Sequence, residues 1–166
     1  AMSCDPNLLP ILQQLADALQ QRGWMLATAE SCTGGMIAAA CTELPGSSNW
    51  FDRGFVTYSN DAKTEMLSVP AALIAEHGAV SEAVVRAMAK GAITHSKAQV
   101  SVAVSGVAGP GGGTPEKPVG TVWVAWQIAD QTYSQCVQWE GDRLAVRQQT
   151  THHALQQLLL YLLQAQ

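Results

Sequence analysis

The chain has 166 residues, 48% of them hydrophobic and only 13% charged, which makes it long enough to bury a core and too apolar to be disordered. Its formal net charge of −4, without any Lys/Arg cluster, argues against nucleic acid as the main ligand. No apolar run approaches the roughly 20 residues that span a bilayer, and no basic-then-apolar leader opens the chain.

The remaining compositional signals are weaker. Ala1, ahead of Met2, reads as a residue left over from expression. Cys4, Cys32, Cys41 and Cys136 form no CxxC pair, so reduced thiols in a cytoplasmic protein are the expectation. His77, His95, His152 and His153 are scattered, and neighbours on a helix diverge by about 100°, so no metal site is expected.

In chain order, Asp5-Pro6 suits a helix start, and Leu8, Ile11, Leu12, Leu15 and Leu19 fall on one helical face up to Arg22-Gly23. An apolar run from Trp24 to Thr28 predicts the first strand. Ala29-Glu30-Ser31-Cys32-Thr33-Gly34-Gly35 then reads as a tight turn into an Ala-rich helix from Met36 to about Glu43. Free N–H groups at such a helix start suit an anion or an oxyanion, and a serine there can be a nucleophile. The plainer alternative is capping, for which Ser, Thr and Gly are equally suited. Cys32 is the rival nucleophile, with a buried apolar role as its alternative.

Pro45 to Asn49 is a turn cluster, and Phe51 to Tyr58 mixes aromatic and β-branched residues as a strand does. Ser59 or Asn60 can cap a short helix carrying Lys63, Met66 and Leu67; Val69-Pro70 ends it, and a helical piece to about Glu76 follows. Ser81-Glu82 caps the next helix, whose stripe is Val84, Val85, Met88, Ala89 and Ala92. Val100 to Val104 has the composition of a buried central strand.

Ser105 to Pro118 is a long glycine-rich loop. No Gly-Lys-Ser/Thr closes it and a strand follows it, so it is neither a Walker loop nor a dinucleotide fingerprint. It is either a ligand-binding loop or a mobile surface segment. Val119 to Ile128 and Thr132 to Trp139 predict a hairpin turning at Asp130-Gln131. Gly141-Asp142-Arg143 opens a last helix with an apolar face of Leu155, Leu158, Leu159 and Leu162.

This order predicts a single α/β domain: a three-layer α/β/α sandwich on a mostly parallel mixed sheet of about five strands, one of them antiparallel. If the strand ending at Tyr58 is parallel, three carboxyl ends bring Ser31, Tyr58, Lys63 and Ser105 to one crevice. A lysine of lowered pKa can then activate the serine, with Tyr58 relaying the proton or orienting the amine. Against this stand a solvated Lys63 and a Tyr58 ring that merely packs. Arg143 and Arg147, four apart, share a face and can clamp a phosphate or pair with Asp142 and Glu140.

Six segments together carry a resemblance. Ala29 to Gly35, Val56-Thr57-Tyr58-Ser59-Asn60 with Lys63, and His77-Gly78-Ala79-Val80-Ser81 are three of them. Ser105 to Pro110, Glu116 to Val122 and Gly141-Asp142-Arg143 are the others. In order and spacing the chain resembles the CinA C-terminal domain family, the nicotinamide-nucleotide amidohydrolases, over about residues 8 to 163, departing from it at Val107 where isoleucine is common.

The resemblance implies a stand-alone, metal-free α/β/α enzyme without cofactors. It would hydrolyse the carboxamide of nicotinamide mononucleotide in pyridine-nucleotide salvage, with Ser31 as nucleophile and Tyr58 and Lys63 as its activating partners. The substrate, a small nucleotide, is expected against Glu30, Thr33, Gly34 and Gly35, against Ser105, Gly106 and Gly109, and against Arg143 and Arg147. Which element holds the oxyanion and which the phosphate stays open. The competing reading is a non-catalytic nucleotide-binding or competence-associated interaction module. Five tryptophans and an apolar last helix make a homodimer the expected assembly, unless Trp123, Trp126 and Trp139 simply fill the core.

Overall fold

A computed structural model describes residues 5–165; Ala1, Met2 and Cys4 lie outside them. Five strands form one sheet in the order β2-β1-β3-β4-β5. They are β1 (Leu26–Glu30), β2 (Phe51–Val56), β3 (Val100–Gly106), β4 (Thr121–Ile128) and β5 (Gln131–Gln138). β2, β1 and β3 run parallel, while β4 is antiparallel to both β3 and β5, so one strand runs against the other four.

The helices are α1 (Leu8–Arg22), α2 (Met36–Thr42), α3 (Asn60–Leu67), α4 (Ala71–His77), α5 (Glu82–Thr94) and α6 (Arg143–Gln164). Side chains alternate across a strand, and here the alternation divides two cores. Leu26, Val100, Val102, Val104, Val122, Val124 and Trp126 pack under α1, α2 and α6 with Leu12, Leu15, Ile37, Leu155 and Leu158. On the other face Ala27, Ala29, Ala103 and Ala125 meet α3, α4 and α5 through Leu67, Ile74, Val84, Val85 and Met88. Small residues on that face let α5 lie close, and Ser101 donates its hydroxyl to the Ala89 carbonyl at 2.7 Å.

Several boundaries differ from expectation: β1 lies two residues later than the apolar run from Trp24 to Thr28, so Ala29 and Glu30 belong to the strand, while β2 stops at Val56 and β4 starts at Thr121. α1 begins at Leu8, because Asp5 uses its carboxylate to accept the N–H of Asn7 and closes a turn ahead of the helix. The hairpin turns at Ala129-Asp130, with Ala129 at φ 54, and Gln131 already belongs to the ladder opposite Ile128.

β1 is the switch point of the sheet. The chain leaves it by α2 on one face to reach β2, then crosses by α3, α4 and α5 on the other face to β3 on its far side. Ligands of open α/β sheets bind beyond the carboxyl ends of strands at such a point. The ladder continues just past it: the N–H of Ser31 donates to Val104 and that of Thr57 to Glu30. Ser31, Tyr58 and Ser105 therefore come out at one edge.

Candidate active site

The alternation of β1 carries on into the turn. Ser31, like Ala27 and Ala29, faces the side of α3 and α5, whereas Cys32 packs into the core under α2 and α6. Burial, with a smaller push from the nearby Glu30 carboxylate, raises the Cys32 thiol to about 11. A thiol so placed is a packing group.

Lys63 reaches Ser31 because α3 starts immediately after the strand end. Ser59 caps it, its Oγ accepting the N–H of Ala62 at 3.0 Å. Helical side chains lean toward the N-terminus, so Lys63 folds back beneath Thr57 and Tyr58. Its Nζ lies 3.1 Å from Ser31 Oγ and donates to the Thr57 carbonyl at 3.0 Å and to the Tyr58 carbonyl at 3.4 Å. With only 1% of its surface exposed, the amine is held by burial below the 10.5 of a free lysine.

A cleft of about 310 Å³ opens over this pair, at the small end of the range for small-molecule sites. It brings together Ser31, Tyr58, Lys63, Ser105, Gly106, Gly109 and Arg143. Cys32, Val107 and Ala108 also border it, and Asn60, Ala79, Val80, Gly111 and Gly112 complete its wall. The sequence signals the last five only faintly, Asn60 by its place two residues after Tyr58, and Ala79 and Val80 by their motif. Gly109 sits at φ +83 with Val119 so near that a Cβ would come within 2.5 Å of its Cγ1, which restricts the position to glycine.

Tyr58 is 62% exposed, and its hydroxyl accepts a hydrogen bond from Arg143 at 3.1 Å. The phenol hydrogen bond thus runs to Arg143, while the contact of Tyr58 with the Lys63 amine is made by its main-chain carbonyl. Arg143 also donates to the Gly109 carbonyl at 2.7 Å, tying the glycine-rich loop to the β2–α3 connection.

Five residues expected on the substrate do not border this cleft. Glu30 is fully buried: Oε1 accepts the Thr33 hydroxyl at 2.6 Å and the Ile37 N–H at 2.8 Å, and Oε2 the Ala38 N–H at 3.0 Å. The N-terminus of α2 already holds this anion of the chain's own, and Thr33, Gly34 and Gly35 form the turn around it, outside the cleft. Arg147 does not share the fate of Arg143; its guanidinium donates to the Cys32 and Thr33 carbonyls behind the turn.

Among the described residues, no helix is long and apolar enough to cross a membrane. Residues 9–162 match the CinA C-terminal domain. A protein of Escherichia coli K12 named nicotinamide-nucleotide amidohydrolase PncC is 50% identical over 163 residues, covering 96% of this chain and 98% of its own. One of the same name from Pseudomonas putida is 52% identical over 155 residues, 93% of this chain and 96% of its own. The crystal structure of the competence/damage inducible protein CihA from Agrobacterium tumefaciens superposes with a TM-score of 0.93 at 40% identity, over 98% of this chain and 99% of that one.

Proposed function

The chain belongs to the CinA C-terminal domain family, and from that premise we propose that it hydrolyses the carboxamide of nicotinamide mononucleotide, giving nicotinate mononucleotide and ammonia for pyridine-nucleotide salvage. The observation that carries the reading is the buried contact of 3.1 Å between Lys63 Nζ and Ser31 Oγ at the floor of the cleft.

A neutral amine has two N–H donors and one lone pair. The carbonyls of Thr57 and Tyr58 take the donors, which leaves the lone pair for the Ser31 hydroxyl. Lys63 removes the proton as Ser31 Oγ attacks the amide carbon, and general-base assistance of this kind contributes roughly 10²–10⁴ in rate. The oxyanion is met by the N–H of Cys32, the residue after the nucleophile, and by the Ala108–Gly109 segment of the loop. The lysine returns its proton to the leaving nitrogen, so ammonia departs and an ester on Ser31 remains. Water, deprotonated by the same amine, splits the ester to the acid and restores the hydroxyl.

Binding falls to the outer half of the cleft. The exposed Tyr58 ring offers a face to the pyridinium cation. Arg143, with Asn60 and the glycine-rich loop, receives the phosphate. Glu30 argues against the start of α2 for that role, since its carboxylate occupies the donors there and repels a second anion.

The test is ammonia release from nicotinamide mononucleotide, with chromatographic detection of nicotinate mononucleotide in equal amount. Folded protein that binds the nucleotide without releasing ammonia would overturn the enzyme reading in favour of a binding module.

A further inference from the structure

Arg143 and Arg147 leave α6 on one face yet serve different ends. Arg143 touches the walls of the cleft, whereas Arg147 lies behind the nucleophile turn. Arg147 Nε donates to the Cys32 carbonyl at 3.0 Å, and its terminal nitrogen to the Thr33 carbonyl at 3.3 Å. Gly34 lies against the same guanidinium, where a Cβ would stand 3.4 Å from it. From the other side Glu30 takes the Thr33 hydroxyl and two N–H groups of α2. The turn is gripped between a buried carboxylate and a guanidinium, neither of which borders the cleft.

We propose that Arg147 is a positioning residue for Ser31: it fixes the Cys32–Thr33 peptide, one residue past the nucleophile, and so holds Oγ at its distance from Lys63 Nζ, without contributing to substrate binding. The proposal rests on Ser31 being the nucleophile. Hydrogen bonds from a charged donor are about twice as strong as neutral ones, and the peptide is planar, so holding the Cys32 carbonyl also sets the N–H of Thr33. A displacement of about 1 Å at an attacking atom costs on the order of 10²-fold in rate. Arg147 itself does not line the cleft, so KM should hold.

Arg147→Met and Arg147→Lys are compared with the parent for kcat, KM, melting temperature and the rate at which a fluorophosphonate labels Ser31, with Ser31→Ala as the blank. Arg147→Met should lose about 100-fold in kcat and label more slowly by a similar factor, with KM unchanged within about threefold. Arg147→Lys, which keeps one charged donor, should recover part of both losses. Folded Arg147→Met with parental kcat overturns the proposal, and so does a rise in KM at constant kcat, which would make Arg147 a substrate clamp. If Arg147→Met does not fold, Arg147→Lys decides, since parental kcat and labelling there would also overturn it. A parent labelled at Ser31 but releasing no ammonia defeats the substrate reading alone; the labelling ratios still test Arg147.

Discussion

The β1–α2 turn and the β3–β4 loop border the same cleft and are built to opposite specifications. Ser31, Cys32 and Thr33 are all buried, and the turn is tied to Glu30 on one side and Arg147 on the other. Every residue from Pro110 to Glu116 is exposed, and the loop is anchored mainly at its ends. Arg143 holds Gly109, and the Lys117 amine reaches the His77 carbonyl at 3.1 Å. A reacting oxygen needs a fixed position relative to its base, while a flexible nucleotide needs a wall that can adjust to it. Changes on the turn side should therefore act on kcat, and changes on the loop side on KM.

The largest effect is expected at the floor. Lys63→Met should lower kcat by roughly 10²–10⁴-fold with the fold intact, and a folded variant of near-parental kcat would break the comparison at its centre. The same variant has a signature in stability. Because burial lowers the folded pKa of Lys63 below 10.5, the unfolded chain binds more protons between that lowered value and 10.5. Parent stability should rise with pH across this window, and thermal melts of Lys63→Met should lack that slope.

The loop side should respond more mildly. Arg143→Met should raise KM on the order of 10-fold, since a hydrogen bond to a charged group contributes about 1.5–3 kcal/mol, while kcat stays near the parental value. Tyr58→Phe, which removes the hydroxyl that Arg143 holds, should cost about fivefold in kcat/KM. A loss as large as that of Lys63→Met would return the phenol to the proton relay. Smallest of all is Cys32→Ala: the thiol packs in the core, so the change should cost about 1 kcal/mol in stability and leave kcat nearly intact. Complete loss of activity in folded Cys32→Ala would reopen the thiol mechanism.

What could be read in advance follows from the kind of signal each feature leaves. Helical stripes and β-branched runs marked nearly every element, and the turn and loop motifs marked the strand ends that border the cleft. Whether β2 ran parallel to β1 was not legible, because direction depends on which face each crossover takes, and the convergence of Ser31 with Lys63 hung on it. The role of Glu30 was equally hidden, since its partners at Ile37 and Ala38 are main-chain groups that leave no mark on residue identity. Helical spacing correctly put Arg143 and Arg147 on one face. Their division arises because one meets the loop and the other the turn, a matter of how α6 docks.

The central claim is that Ser31 performs the attack. The most direct measurement is turnover of nicotinamide mononucleotide by Ser31→Ala beside the parent, with nucleotide affinity measured calorimetrically for both. The account predicts that ammonia release falls to background in the variant while affinity remains within about threefold of the parent, because only an interaction used in the transition state has been removed. Sustained turnover by folded Ser31→Ala would contradict it.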